Sequence, residues 1–120
     1  MLDARLKELR EKTRSGYYHQ FRTQTLDFDA LLKKLDSIEG KVYISIDMDA
    51  IDPAFAPSVG NPTPNGLHPI DVENIFEALA NNENVDIIGF DLVEVASDRL
   101  GDVTAVLAAK IIYDFLTLFA

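Results

Sequence analysis

The chain has 120 residues, 48% of them hydrophobic and 26% charged, a composition typical of one soluble globular domain. With 20 acidic residues against 11 basic ones, its formal charge of −9 argues against a nucleic-acid or anionic-membrane partner and favours metal ions or cationic ligands. Cysteine is absent, which excludes disulfides and thiolate metal sites and fits a cytoplasmic location.

The chain before Gly40 is predicted to form two helices. Leucines recur at helical spacing among charges over residues 2–13, and this charged start has no apolar signal-peptide core. Asp27 or Asp29 can cap a second helix, which ends at Gly40.

A strand, a loop and a helix follow. Residues 42–48 are β-branched and apolar and predict a strand, and residues 50–65 hold four of the five prolines and predict an ordered, irregular loop. A helix should begin at Pro69 and run to about Asn81. Its expected inner face carries Ile70, Ile75, Phe76 and Leu79.

A second strand and a last helix complete the chain. Residues 85–95, VDIIGFDLVEV, are apolar almost throughout, which predicts a strand buried on both faces. The apolar stretch 103–120 is interrupted by Lys110 and Asp114, so we expect a buried helix over 103–119 and no membrane span.

Strand, helix and strand in this order predict a βαβ unit with parallel strands, and therefore an α/β fold. Two parallel strands make a poor sheet, because such strands are normally flanked by others and covered on both faces. The chain is therefore expected either to be part of a larger α/β protein or to assemble with partners that complete its sheet.

Asp47 and Asp49 lie at the carboxyl end of the first strand, within the segment SIDMDAIDP. Two residues apart on a strand, they point to the same side, about 6.6 Å apart along the chain. Their mutual repulsion would be relieved by one divalent cation, or by two ions about 3.5–4 Å apart. The alternative is that they cap a turn or pair with a lysine, which is the commoner role of an isolated Asp-x-Asp.

Three further carboxylates are candidates. Asp52 precedes Pro53 and is assigned to a turn, with support of the metal site as the alternative. Glu94 ends the second strand in an apolar run, where a carboxylate is costly unless it meets a cation, and it could face the same crevice. Asp91 lies deeper and is interpreted as a satisfied core carboxylate.

The two histidines and two other possible motifs say less about function. His19 is interpreted as a surface or packing residue, and His68 as a cap or loop residue that could line the cleft. A calcium loop of the EF-hand type counted from Asp47 would need Gly and Glu where Asp52 and Ser58 stand, so that reading fails. A haloacid-dehalogenase-like phosphatase is also a poor match to the residues after Asp49.

The segment from residue 26 to the end resembles the ureohydrolase family, which comprises arginase, agmatinase and their relatives. The family signature runs Ser-x-Asp-x-Asp, three residues, Pro, three residues, Pro, a small residue, seven residues and Gly. Every fixed position is matched here, by Ser45, Asp47, Asp49, Pro53, Pro57, Ser58 and Gly66. GFDLVEV, followed by an alanine-containing helix, resembles the family's last strand and helix.

The resemblance implies a three-layer α/β/α sandwich that hydrolyses a guanidine to urea and an amine at two Mn²⁺ ions. Asp47 and Asp49 match metal ligands of the family, and Glu94 matches the glutamate that pairs with the guanidinium of the substrate. The loop and last strand look more like the agmatinase branch than arginase. Asn65 and His68 depart from residues common in that branch, so the choice of guanidine stays open.

Two other segments of the family signature are absent from these 120 residues: an early Gly-Gly-Asp-His-type histidine and an Asp-x-His-x-Asp cluster. Residues 1–120 are therefore interpreted as a single partial domain, the C-terminal part of an agmatinase-like enzyme, inactive or nearly so alone. The alternatives are a non-enzymatic truncated module that oligomerises through its sheet edges and a split enzyme whose other half is a separate chain.

Overall fold

The computed structural model describes residues 28–120, and the predicted elements follow one another in the predicted order. Residues 32–120 form one compact unit. The predicted helix over 2–13 and His19 lie outside the described residues. The elements are helix α1 (Phe28–Asp36), strand β1 (Gly40–Asp47), a 3₁₀ turn (Met48–Ala50), helix α2 (Pro69–Ala80), strand β2 (Val85–Val93) and helix α3 (Val103–Phe119).

The two strands pair in parallel, as predicted for a βαβ unit, and the α/β class is confirmed. The register runs from Gly40 beside Val85 to Asp47 beside Val93, with one irregularity after Val42. Because the strands are parallel, both carboxyl ends lie at one edge of the sheet, where open α/β sheets bind their ligands.

The prediction that β2 is buried on both faces is wrong for the part of the chain that the structure describes. Ile88 is 57% exposed and Val93 is 44% exposed. The reason is that α2 and α3 pack against one face of the sheet, the face that carries Ile44 and Phe90. The strand also ends at Val93, two residues earlier than expected.

An aromatic cluster fills the space between α2, α3 and β2. Phe76 of α2 is fully buried, and its ring meets those of Phe90, Phe115 and Phe119 in edge-on contacts of 6.0–6.3 Å. Phe90 and Phe115 stack at 4.2 Å. These edge-to-face and stacked geometries are the arrangements that aromatic rings prefer. Among the described residues, no helix is both long and apolar enough to cross a membrane.

Helix α2 buries a different face from the one expected at its first turn. Val72, Phe76 and Leu79 recur at helical spacing and are buried, whereas Ile70 is 54% exposed. Ile70 lies two residues before Val72, about 200° around the helix, so it faces away from the core. The predicted bounds of the helix hold to within one residue.

Candidate functional site at the carboxyl ends of the strands

Asp47 ends β1 and begins the 3₁₀ turn that carries Asp49, so the prediction that both aspartates lie on the strand is wrong. One oxygen of the Asp47 carboxylate accepts a hydrogen bond from the Asp49 backbone N–H at 2.9 Å, so Asp47 caps this turn. Met48, between them, is fully buried and anchors the turn in the core. The turn therefore leaves both carboxylates at the surface end of the strand.

The proline-rich loop is closed at its base by backbone hydrogen bonds. Leu67 N–H donates to Ala50 O at 2.8 Å, and Asp52 N–H donates to Leu67 O at 2.9 Å. Ile51 and Leu67 form a parallel bridge, and Ile51 is fully buried. The two ends of the loop over residues 51–67 are therefore hydrogen-bonded to each other, next to the end of β1.

Asp52 organises the interior of this loop. Its carboxylate accepts hydrogen bonds from three backbone N–H groups, those of Ala54 (2.8 Å), Asn65 (2.8 Å) and Gly66 (3.2 Å). The bond from Ala54, assisted by those from Asn65 and Gly66, lowers the pKa of the Asp52 carboxyl below its ordinary value, because these donors favour the charged form. The structure gives Asp52 the turn role and no hydrogen bond to Asp47 or Asp49.

Glu94 follows β2 in an uncommon backbone conformation. Its φ is +68°, in the left-handed region, which costs a residue with a side chain about 1–2 kcal/mol. Such strain in a non-glycine residue is characteristic of functional sites. Two residues later, Ala96 N–H donates to Ser58 O at 2.9 Å, which joins the chain after β2 to the loop.

One segment of the loop, Ser58–Asn61, links the ends of the two strands. Asn61 N–H donates to the Asp49 carboxylate at 3.2 Å. Next to it, Gly60 lies against the Glu94 carboxylate, whose Oε2 is 2.9 Å from the position that a Cβ on Gly60 would take. Both carboxylates lie beside this segment, and the shared crevice of Glu94 and the Asp-x-Asp pair stays a prediction.

A second set of polar contacts, which the sequence analysis missed, fixes the other side of that segment. Ser58 Oγ donates to the Asp102 carboxylate at 2.8 Å, and Ser58 N–H donates to Thr104 Oγ at 2.9 Å. Asp102 also caps α3 by accepting from Thr104 N–H at 2.9 Å. Its hydrogen bond from Ser58 lowers the pKa of the Asp102 carboxyl. Asp followed two residues later by Thr at a helix start is a readable capping signal.

The other two candidates lie apart from this segment. His68 is the N-cap residue of α2, as the cap reading expected, and its ring lies 4.9 Å from that of Phe55. Asp91 is half-buried and accepts hydrogen bonds from Tyr43 Oη at 2.9 Å and Ser45 Oγ at 2.7 Å. The hydrogen bond to Asp91 raises the pKa of the Tyr43 phenol.

The donor chemistry of Asp47 and Asp49 fits a hard divalent cation, but the number of ligands is small. In residues 28–120, no three His, Cys, Asp or Glu side chains gather into a metal-binding group. Within that same range, the ion pairs join Lys110 to Glu73 and Asp114, so neither aspartate is neutralised by a lysine or arginine. Each aspartate accepts a backbone N–H through one of its carboxylate oxygens.

A parallel α/β unit whose strands end in carboxylates beneath one ordered loop has the architecture of a ligand-binding α/β protein. The model of the arginase family matches residues 3–117. The chain therefore belongs to the arginase family.

Individual relatives agree with this assignment. The chain is 44% identical over 99 residues to an uncharacterized 32.2 kDa protein of Methanothermus fervidus, covering 82% of this chain and 34% of that protein. It is 41% identical over 86 residues to N(1)-aminopropylagmatine ureohydrolase of Thermococcus kodakarensis, covering 72% of this chain and 29% of the relative. The crystal structure of agmatine ureohydrolase of Thermoplasma volcanium matches with a TM-score of 0.65 and 36% identity, covering 82% of this chain and 31% of that one. The chain thus spans about a third of the length of these relatives.

Proposed function

We propose that this chain forms part of the active site of an agmatinase-like, manganese-dependent ureohydrolase, which hydrolyses a guanidine to urea and an amine. The observation that carries the proposal is the Ser58–Asn61 segment, in which Asn61 is hydrogen-bonded to Asp49 and Gly60 lies beside the Glu94 carboxylate. Acidic groups that follow two parallel strands therefore lie at one edge of the sheet, where a cationic substrate would approach.

Each acidic residue has a distinct role in this proposal. Asp47 and Asp49 would bind manganese through the oxygens that their backbone hydrogen bonds leave free. Manganese, when bound, supplies Lewis-acid activation of water for hydrolysis. Glu94 accepts hydrogen bonds from the guanidinium and so orients its central carbon toward the aspartates, since a carboxylate can accept two parallel N–H bonds from such a group.

The loop accommodates Asn65, which departs from the residue common at this position in the agmatinase branch. Asn65 has φ of +64°, a conformation that glycine adopts freely and asparagine tolerates better than most residues. Its backbone N–H still donates to Asp52 at 2.8 Å. Asn65 is therefore compatible with the conformation that the loop needs at this position.

The first prediction concerns metal binding and turnover by the 120-residue chain. With added Mn²⁺, we expect no urea from agmatine or arginine, because two carboxylates are too few to hold the metal in a reactive geometry. We expect weak Mn²⁺ binding that Asp47→Ala reduces at least about tenfold, the loss of one charged ligand being worth more than about 1.4 kcal/mol. Mn²⁺ titration by electron paramagnetic resonance and a urea assay measure the two quantities.

The matched control is Asp86→Ala, which removes a carboxylate from the opposite, amino-terminal end of β2. It should leave Mn²⁺ binding unchanged. Equal affinities for the parent chain, Asp47→Ala and Asp86→Ala would contradict the assignment of Asp47 as a ligand. Urea release that disappears in Asp47→Ala would overturn the proposed inactivity and show that the chain acquires its remaining ligands, for instance from a second copy.

A second candidate function is a non-enzymatic module that associates through its sheet. It is favoured by the two-stranded sheet and by the exposure of Ile88 within β2. Within the described residues β2 pairs with β1 along one edge only, and an apolar strand with an unpaired edge invites pairing with another chain. We expect the chain to sediment as a dimer or larger species, and Ile88→Glu to shift it toward monomer. Val106→Glu on α3, where the parent side chain is equally exposed at 57%, is the control. A parent chain that sediments only as monomer would exclude this candidate.

A further inference from the structure

Gly60 lies where the loop approaches Glu94 most closely. A Cβ built on Gly60 would stand 2.9 Å from Glu94 Oε2, closer than carbon and oxygen can approach without displacement. Leaving aside Gly60 and its two chain neighbours, this oxygen is the one heavy atom of the described residues within 4 Å of that position. The absence of a side chain at residue 60 therefore makes room for the Glu94 carboxylate specifically.

The backbone of Gly60 does not require glycine. Among the described glycines, positive φ values occur at Gly40 and Gly101, and Gly60 is outside that group. An alanine at residue 60 is therefore free of backbone strain. Its methyl group would meet the far end of a flexible side chain rather than packed backbone, so the fold should absorb it by moving the carboxylate.

The loop cannot relieve the contact by backing away. Ser58 O accepts from Ala96 N–H at 2.9 Å, and Ser58 is also bonded to Asp102 and Thr104. On the other side of Gly60, Asn61 N–H is bonded to the Asp49 carboxylate. With the segment held on both sides of Gly60, the Glu94 side chain is the part that must yield.

We propose that Gly60 is a positioning residue for substrate recognition. Because Gly60 has no side chain, the Glu94 carboxylate can occupy the position in which it would bind a guanidinium group. This inference rests on the proposed function of Glu94 and extends it to a residue outside the sequence signature. Any side chain at residue 60 would displace the carboxylate from this position and weaken guanidine binding, while the fold and the positions of the two aspartates would not change.

The test is agmatine binding to the Mn²⁺-supplemented chain, followed by NMR chemical-shift titration, with putrescine as the ligand that lacks the guanidinium. We expect Gly60→Ala to weaken agmatine binding more than about tenfold, the size expected when a hydrogen bond to a charged group is misaligned. Putrescine binding, Mn²⁺ affinity and the thermal midpoint should stay close to those of the parent chain. A purely structural role of Gly60 would move the thermal midpoint instead.

Three further variants make the result specific. Glu94→Ala should lose agmatine binding, and Thr63→Ala, a small change at an exposed position of the same loop, should keep it. Combining Gly60→Ala with Glu94→Asp should cost much less than the sum of the two changes, because the shorter side chain withdraws its carboxylate from the added methyl.

The outcomes separate this inference from the function on which it rests. If Glu94→Ala loses agmatine and Gly60→Ala does not, the role of Gly60 is refuted and that of Glu94 stands. If the parent chain and Glu94→Ala bind agmatine equally, or neither binds it, the role of Glu94 fails and the role of Gly60 fails with it.

Discussion

Phe76→Ala should lower the free energy of unfolding by about 3–5 kcal/mol, the usual cost of deleting a fully buried phenylalanine. Phe76 has no exposed surface, and its ring touches three other phenylalanines from β2 and α3. Domains of this kind are stable by about 5–15 kcal/mol in total, so the loss is a large fraction of the whole. Urea denaturation followed by circular dichroism measures it as a lower transition midpoint with an unchanged slope.

Ile70→Ala is the matched control for this prediction, because it shortens an apolar side chain on the same helix. Ile70 is 54% exposed, so its loss should cost no more than about 1 kcal/mol. If the two variants unfolded at the same denaturant concentration, the aromatic cluster would not be the core of this unit.

Gly66→Ala should open the proline-rich loop. A Cβ on Gly66 would stand 2.6 Å from Asp52 N, 2.7 Å from Ala50 O and 2.8 Å from the Ile51 carbonyl carbon. All three are backbone atoms and cannot rotate away, so the two ends of the loop must separate. We expect loss of the hydrogen bonds that join Leu67 to Ala50 and Asp52, at about 1–3 kcal/mol for each amide left unpaired.

Hydrogen exchange measures this opening at the amides of Asp52 and Leu67, which should be protected in the parent chain and exchange rapidly in Gly66→Ala. Gly101→Ala is the control, because Gly101 also resists substitution but for a different reason. It has φ of +73° and open space around it, so its substitution introduces backbone strain without a clash. Protected Asp52 and Leu67 amides in Gly66→Ala would refute the steric argument.

The pattern of the sequence predicted the elements well, because each carries a local signal. Pro69 marks the first turn of α2, and the apolar run before Asp47 marks β1. Parallel pairing followed from the strand–helix–strand order. Sequence patterns did not predict which faces would be covered, since that depends on how many layers pack on the sheet. The apolar character of Ile88 therefore did not indicate whether its side chain would be covered or exposed.

The sequence predicted which residues belong to the candidate site, but it did not predict the contacts between them. Asp47, Asp49 and Glu94 stand out because the carboxyl ends of parallel strands are where open α/β sheets bind their ligands. The turn role of Asp52 also follows from its place before Pro53. The close approach of Gly60 to Glu94 joins residues far apart in the chain, and a glycine without positive φ leaves no local signal. Such contacts become visible only when the backbone path of the loop is known.

The ring of Tyr43 has a consequence for the order in which this unit folds. A Cβ on Gly89 would stand 2.5 Å from Tyr43 Cε2, and the same tyrosine reaches Asp91 with its hydroxyl. The ring thus fits over a glycine and beside a carboxylate, and a slip of β2 by one residue would bring a side chain under it and turn the carboxylate away. Residues 48–84 separate the two strands, so the contact of Tyr43 with Gly89 and Asp91 can form only after this long segment has closed into a loop. We therefore expect correct pairing to be selected late in folding, when this non-local contact can form.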